Sequence, residues 1–383
     1  MGRSKPEPEP EQMPVGQGAV EALLDEAGIR IGGNNPWDLR VHDKRFYQRV
    51  LAEHSLGLGE SYMDGWWDAG ALDQFFYRIT RARLGSRGSK RLRLAGDWLQ
   101  ARFLNLQNRR RSRRVAERHY DLGNHFYERM LDPWMQYTCA YWKGAEDLAA
   151  AQELKLDLVC RKLKLQPGDT VLELGGGWGG FSRFAAERYG CRVTMYNIST
   201  EQITYAREWC KGLPVELRHA DYREAEGLYD KVVSIGICEH VGSRNYKNFF
   251  RLQRRCLKEN GLMLLHTIGA NRTKRTSDPW MTRYIFPGGQ LPSVRQLAET
   301  SEPAFLVEDL HNIGPSYDHT LMAWHRNFER HWPEFEEAYG ERFRRMWRYY
   351  LLSCAGAFRA RNIQLWQFVF SPRGVEGGYE PVR

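Results

Sequence analysis

The chain has no uncharged apolar run of the ~18 to 20 residues that a membrane-spanning helix needs, so any contact with a bilayer would be peripheral. It also has no Cys-x-x-Cys pair. Its seven cysteines (Cys139, Cys160, Cys191, Cys210, Cys238, Cys256 and Cys354) are odd in number and widely spaced. That pattern fits neither a disulfide framework nor a zinc signature and implies a reducing cytoplasm with no metal site. The opening stretch, MGRSKPEPEPEQMP, lacks the apolar core of a secretory signal, and Pro6 stands where a myristoylation pattern wants Ser or Thr. It reads as a disordered leader. Thirty-six glycines and 16 prolines among 383 residues are unexceptional, which excludes collagen-like and low-complexity chains. No internal repeat is evident.

What is present is ordinary for a globular protein: 42% hydrophobic and 27% charged residues, enough for two domains or one large domain with an appendage. The formal net charge of +9 is unevenly placed, because Arg81 to Arg114 holds twelve Lys and Arg against Asp97 alone. Three zones follow. Residues 1–90 combine the leader with a small helical domain, beginning with an amphipathic helix from Ala19 to Ala27 that Gly28 ends. Residues 91–116 mix arginine with Leu92, Leu94, Trp98, Leu99, Phe103, Leu104 and Leu106 at partly helical spacing. This linker is either a solvated helix or an interfacial segment whose arginines each gain about 1 kcal/mol at an anionic membrane surface. Nucleic-acid binding is disfavoured, since the chain carries no recognised motif for it.

Residues 117–383 alternate strands with helices, as an α/β sheet requires. The expected strands are Thr170 to Leu174, RVTMY, VELR, KVVSI, LMLLHTI, Phe305 to Leu310, and Ile363 to Phe370. Helices are expected from Phe181 to Arg188, from near Ser199, from Asn245 to Leu257, and within Thr320 to Phe358. Seven strands in this order read as the Rossmann-like sheet of a class I methyltransferase. Between the first strand and helix, Gly175, Gly177 and Gly180 satisfy G-x-G-x-x-G, but the acid that a dinucleotide site wants after the second strand is replaced by Tyr196 and Asn197. The same turn reads E-x-G-x-G-x-G from Glu173 to Gly179, which resembles a methyltransferase loop for S-adenosylmethionine. In that reading Glu173 answers the ligand's ammonium; the alternative is a structural ion pair.

Ligands of open α/β sheets sit beyond the carboxyl ends of the strands. Five segments bring polar residues to that edge: Gly175 to Gly180, Asn197 to Gln202, Asp221 with Tyr222, Glu239 with His240, and His266.

These residues lie in longer motifs: HYDLGNHFYERMLDPWMQYTCAYW, VLELGGGWGGF, SIGICEHVG, LLHTIG, IFPGGQLPS and CAGAFRARNIQLWQ. With them the chain resembles the cyclopropane-fatty-acyl-phospholipid synthase and mycolic acid cyclopropane synthase family, whose members use S-adenosylmethionine to methylenate lipid double bonds. The resemblance runs from about Ala19 to near the C-terminus, and Gly176 departs from it where the family more often has Cys. It implies that the cofactor is held by Tyr137 and Thr138; by Leu172, Glu173, Leu174, Gly175, Gly176, Gly177, Trp178, Gly179 and Gly180; by Asn197, Ile198, Ser199, Thr200, Glu201 and Gln202; and by Asp221 and Tyr222. It also implies a bicarbonate ion contacted by Cys139, Glu239, His266, Ile268 through its backbone, and Tyr317. Cys354 is the position that the family marks as active. Partners implied are unsaturated phospholipids and anionic head groups on the inner face of the cell membrane, and a second copy of the chain in a homodimer.

The chemistry explains why such a site is needed. An alkene is a feeble nucleophile, so alignment with the methyl donor in a dry pocket must supply much of the rate, and positioning can contribute ~7 to 11 kcal/mol. Water would quench the resulting carbocation, so it must be kept out. Tyr137, Tyr141, Trp142, Phe286 and Tyr317 are candidates to stabilise it by cation–π attraction, or else they are simply core. A compact oxyanion can remove the last proton without being alkylated itself. Cys354 has no step in this scheme and reads as packing. Three functions stay open: ring formation; methyl transfer without ring closure, or to a soluble acceptor; and a membrane-binding scaffold without activity.

Overall fold

The computed structural model describes residues 14–82, 122–274 and 276–383. The leader before residue 14 and nearly all of the basic segment 81–114 lie outside the described residues, and with them the proposed head-group contacts of that segment.

The N-terminal unit has helices Gln17–Asp25, Arg45–Glu53, Ser55–Met63 and Leu72–Ala82. A two-stranded antiparallel ladder joins β1 (Arg40–Val41) to β2 (Trp67–Asp68). The first helix begins two residues earlier than its apolar spacing suggests. Gly28 follows it at φ +66°, a left-handed conformation that ends a helix without a Cβ penalty. Phe46, Trp67 and Phe75 fill the unit's centre, and their core is continuous with that of two long C-terminal helical stretches, Gly314–His331 and Glu336–Arg359, the second kinked at Gly340. Helix 72–82 lies almost backbone to backbone on the second of these: a Cβ on Gly356 would fall 2.7 Å from the Phe76 Cβ and the Tyr77 nitrogen. Arg359 fastens the same contact, donating to Asp73 at 2.6 Å and to Asp318 at 2.8 and 2.9 Å.

The remaining strands are β3 (Thr170–Leu174), β4 (Arg192–Asn197), β5 (Val215–His219), β6 (Tyr229–Ile235), β7 (Leu257–Ala270), β8 (Leu306–Asn312) and β9 (Ile363–Ser371). They form one seven-stranded sheet in the order β5-β4-β3-β6-β7-β9-β8. The first five are parallel, and β9 runs antiparallel to β7 and β8. This is the class I methyltransferase sheet that the strand pattern leads one to expect. Strand β7 continues past Ile268, so His266 sits within it rather than beyond its end, level with Ile235 of β6. The helical stretch expected from Thr320 starts six residues sooner, at Gly314, and so takes in Tyr317.

Side chains alternate across a strand, and here they sort into two layers. Leu172, Leu174, Val232, Met263, Leu265, Phe368 and Phe370 face helices Tyr246–Cys256 and Val294–Ser301. Val171, Val193, Val233, Leu264 and Val369 face helices Leu148–Lys162 and Gly180–Tyr189. By the same alternation Glu173, His266 and Gln367 point to the second layer, under helix 148–162. The strand order reverses between β3 and β6, and at such a switch point a crevice opens.

The segment after β7 is tied to the N-terminal unit. Trp280, fully buried in helix Pro279–Tyr284, lies so close to helix 55–63 that a Cβ on Gly59 would come within 2.3 Å of its ring. The Tyr284 hydroxyl donates to buried Glu60 at 2.7 Å. Gly59→Ala is therefore expected to destabilise the fold by about 1 to 3 kcal/mol through overpacking, read as a lower thermal unfolding midpoint. An unchanged midpoint would mean that this contact yields freely.

Candidate active site at the strand ends

The glycine turn leaves β3 with Gly175, Gly177 and Gly179 all at positive φ (77°, 57° and 88°), a path open to glycine and few other residues. Gly177 faces open space, with nothing within 4 Å of where a Cβ would stand. Its carbonyl accepts from the Asn197 amide at 2.8 Å, and the same amide donates to the Gln202 Oε1 at 2.9 Å. The Gln202 Nε2 is buried without a hydrogen-bond partner among the described residues. Ser199 caps the next helix, Thr200–Trp209, accepting from the Gln202 nitrogen. The Ala220 nitrogen bonds the Asn197 carbonyl, which brings Asp221 and Tyr222 to the same rim. These groups stand around the opening at the ends of β3, β4 and β5, with the Gln202 Nε2 unpaired among the described residues and Asp221 held by Arg223 at 2.8 Å.

Not every expected cofactor residue faces that opening. The side chains of Leu172 and Leu174 are in the core, those of Thr200 and Glu201 are exposed, and the carbonyl of Ile198 faces His219. Glu173 is turned inward: it accepts from Ser182, and its carboxyl carbon would lie 2.8 Å from a Cβ on Gly176. Burial raises its pKa to about 7, offset in part by Ser182 and by the charge of Lys155. Trp178 donates to Asn124 at 2.8 Å and meets the Tyr127 ring at a tilt of 50°, centroids 4.8 Å apart.

The second half of the site is assembled from three further elements. Glu239 sits in the short helix Cys238–Val241 after β6, and its Oε1 accepts from the Ile268 nitrogen at 2.6 Å. Its Oε2 is buried with no partner among the described residues. Burial lifts this carboxyl to about 7. His266 is 1% exposed; Gln367 reaches its Nδ1 at 3.3 Å, and its Nε2 is buried without a partner among the described residues. Burial, reinforced by the charges of Lys155 and Lys162, holds this imidazole neutral. Tyr317 arrives from helix 314–331 with its ring 4.6 Å from that of Phe358. Its phenol is held protonated by burial and by the neighbouring Cys139, Tyr137, Glu239 and Cys354. Those interactions link Glu239 to Ile268 and set Tyr317 beside Glu239 and Cys139, while His266 keeps to Gln367 and the two lysines. The Ile268 nitrogen is already committed to Glu239, so of its backbone groups only the carbonyl is left to face a ligand, and that carbonyl also accepts from the Thr267 hydroxyl.

Cys139 is fully buried, and burial keeps its thiol protonated. Cys354 is half-buried against the aromatic core, its thiol pushed up to about 12 by burial, so it is not poised as a nucleophile. Of the aromatic candidates, Tyr137 hydrogen-bonds the Tyr350 hydroxyl at 3.0 Å, and Phe286 meets the Tyr350 ring at 5.7 Å. Tyr141 and Trp142 turn instead to His311 and His319.

Sequence reasoning missed Lys155, Gln152, Gln136 and Gln367, all buried beside this site. A signal was there: on helix 148–162, Gln152, Lys155 and Lys162 share the helical stripe with Leu148, Ala151 and Val159, where a core-facing helix should be apolar. Among the described residues no group of His, Cys, Asp and Glu could hold a metal ion, and no helix is long and apolar enough to cross a membrane.

The profile of the family described as mycolic acid cyclopropane synthetase matches residues 107–368. The chain is 52% identical over 365 residues to the cyclopropane-fatty-acyl-phospholipid synthase of Escherichia coli strain K12, covering 94% of each. Among solved structures it resembles the cyclopropane synthase MmaA2 of Mycobacterium tuberculosis, at 29% identity and TM-score 0.63, covering 67% of this chain and 97% of that one. It also resembles mycolic acid cyclopropane synthase CmaA1 complexed with SAH and CTAB, at 31% identity, TM-score 0.63 and the same coverage.

Gly176 has little room. A Cβ there would meet the Met195 Sδ at 2.3 Å and Cγ at 2.4 Å. Gly176→Cys is expected to lower stability by about 1 to 3 kcal/mol. Adding Met195→Ala, which removes the two nearest opposing atoms and leaves the Glu173 carboxyl carbon at 2.8 Å, should recover part of the loss in a thermal unfolding experiment. A single variant as stable as the parent would contradict the close contact.

Proposed function

The chain belongs to the mycolic acid cyclopropane synthetase family of S-adenosylmethionine-dependent methyltransferases, and from that premise we propose that it builds a cyclopropane across the cis double bond of unsaturated acyl chains in membrane phospholipids. The observation that carries this reading is that Glu239, in the helix after β6, and His266, on the adjoining β7, are both buried and each keeps one polar atom without a partner among the described residues. Likeness along the whole chain to a curated phospholipid synthase supports it.

S-adenosylmethionine supplies an electrophilic methyl group, and bicarbonate a small base that can leave with a proton. The rest is the work of this chain. The glycine turn, Asn197 to Gln202, and Asp221 with Tyr222 would hold the donor. Tyr137, Tyr317, Phe286 and Tyr350 keep water from the alkene and offer aromatic faces to developing positive charge. His266, neutral and able to donate from Nε2, and the Tyr317 hydroxyl would hold the oxyanion. Glu239 would accept its proton at Oε2 while Oε1 stays bonded to Ile268. Lys155 and Lys162 add positive potential on the His266 side, which favours an anion there. Cys139 would close the anion site on the side of Tyr137 and Thr138, and Cys354 would pack behind Tyr317. The basic segment would draw the protein to anionic head groups on the inner membrane face, and a homodimer would engage the bilayer twice.

The test incubates the protein with vesicles of unsaturated phospholipid and S-adenosylmethionine, with and without bicarbonate, and follows acyl products by mass spectrometry. A product one CH2 heavier that has lost its double bond without gaining a new one, and whose formation depends on bicarbonate, is expected. Methylated chains that remain unsaturated would overturn ring closure. Glu239→Gln should still bind S-adenosylhomocysteine and lose roughly 100-fold or more in turnover; unchanged turnover would remove Glu239 from the chemistry. The same variant carries a stability signature. The ordinary value for this carboxyl is 4.5 and in the fold it titrates at about 7. Between those pH values the folded chain keeps a proton that the unfolded chain has released, so stability falls as pH rises through the window. Glu239→Gln should therefore unfold at a higher temperature than the parent at pH 8 and at a similar one at pH 4.

A further inference from the structure

Lys155 is fully buried, an unusual place for an ammonium unless it is bound on several sides. Its Nζ donates to the Gln136 Oε1 at 2.5 Å and to the Thr138 Oγ1 at 2.9 Å. One turn earlier on the same helix, the Gln152 amide donates to the Thr138 carbonyl at 2.8 Å and the Gln136 carbonyl at 3.3 Å. Helix 148–162 thus grips residues 136–138 by side chain and by backbone. That segment has no regular secondary structure of its own to hold it.

Its other contacts show what the grip controls. Asp132 folds the start of the segment back, accepting from the Trp134 and Gln136 nitrogens. The Trp134 carbonyl and the Gln136 amide lie so near Gly180, at the start of the helix after the glycine turn, that a Cβ there would fall within 2.1 and 2.3 Å of them. The Thr138 Cγ2 lies 2.9 Å from a Cβ built on Gly236, at the end of β6. One residue beyond Cys139, the Ala140 nitrogen donates to Thr320 on the helix that carries Tyr317. Four elements of the site therefore meet on the seven residues from Trp134 to Ala140, a stretch of irregular chain, and the charged pin through them is Lys155.

We propose that Lys155 is a positioning residue: its ammonium, with the Gln152 amide, holds residues 136–139 against the glycine turn and so fixes Tyr137, Thr138 and Cys139 where the methyl-donor and anion sites meet. The role in catalysis rests on the function proposed above; the clamp itself does not. The charged and titratable groups facing Lys155 are Asp132 and Cys139 on the segment, Glu173 on β3 and His266 on β7. Cys139 and His266 are held neutral, so the ammonium answers Asp132 and Glu173. Burial lowers its own pKa to about 8, with those acids opposing the shift. As pH rises through that value the clamp loses its charge, and the donor site loosens.

The experiment uses the full chain with Lys155→Met, Lys155→Arg, and the double variant Lys155→Met with Gln136→Met, which removes the pair together and keeps the fold if the single variant does not. Binding of S-adenosylhomocysteine is measured by calorimetry from pH 6.5 to 9.5, with hydrogen exchange of residues 136–139 in the ligand-free protein. The parent should bind more weakly above about pH 8. The methionine variants should bind at least tenfold more weakly at pH 7, exchange faster in the segment, and show no fall at alkaline pH. Lys155→Arg, charged throughout this range, should keep binding and show no fall at alkaline pH. A folded methionine variant with parental affinity overturns the proposal, as does one weakened equally at every pH with the parental profile intact, since that would be packing alone. Loss of the clamp effect with parental ring formation intact leaves the functional reading standing; a parent that binds no S-adenosylhomocysteine overturns both.

Discussion

Polar groups buried with atoms left unpaired are costly, each by about 1 to 3 kcal/mol, and this structure keeps several within and beside its sheet. The Glu239 Oε2, the His266 Nε2, the Gln202 Nε2 and the Gln367 Oε1 all lie inside, without partners among the described residues. The fold sustains the expense because the surrounding layers are dense and apolar. On the proposed function, the need for a dry chamber that still offers a proton acceptor governs the rest. It accounts for the neutral imidazole and for the carboxyl lifted to about 7, both through burial first. Two buried lysines on helix 148–162 balance the acids beside them, Lys155 near Asp132 and Glu173 and Lys162 on Asp309 at 3.1 Å.

Closing such a chamber requires covers, and the chain draws them from far apart in sequence. One wall comes from helices 314–331 and 336–359, which bring Tyr317, Trp324, Tyr350 and Cys354. These helices lean on the N-terminal unit through Gly356 and Arg359, and helix 279–284 joins the same unit through Trp280 and Glu60. Phe286, two residues beyond that helix, faces Tyr350 and His240. A disturbance of the N-terminal helices therefore has a mechanical route to the aromatic wall, through packed and ion-paired contacts rather than through any residue that touches a ligand.

The strands and the turn were legible because their causes are local. TVLEL and KVVSI are apolar runs of β-branched and aliphatic residues bounded by turn signals, and Gly175 to Gly180 announces a backbone path that side chains forbid. Four of the five polar segments expected at the strand ends could be placed without coordinates, since topology alone carries them to one edge, whereas His266 lies within β7. The inward turn of Glu173 was not legible. Its motif position suggested a ligand's ammonium, whereas strand alternation and the space left by Gly176 send it under helix 148–162, to Ser182 and Lys155. Lys155 itself was hidden by its type, because lysine in a helix is normally read as solvated.

By itself the sequence determined the seven strands, the glycine turn and the family to which the chain belongs, because short-range spacing and residue type record them directly. Tertiary structure alone decided which of the polar residues are paired and which are left open, and how two lysines come to lie inside. Burial, charge balance and hydrogen bonding depend on neighbours many residues away: Thr138 on Lys155, Glu239 on Ile268, His266 on Gln367. No local pattern carries that information, since the free energy of a buried charge is set by everything packed around it.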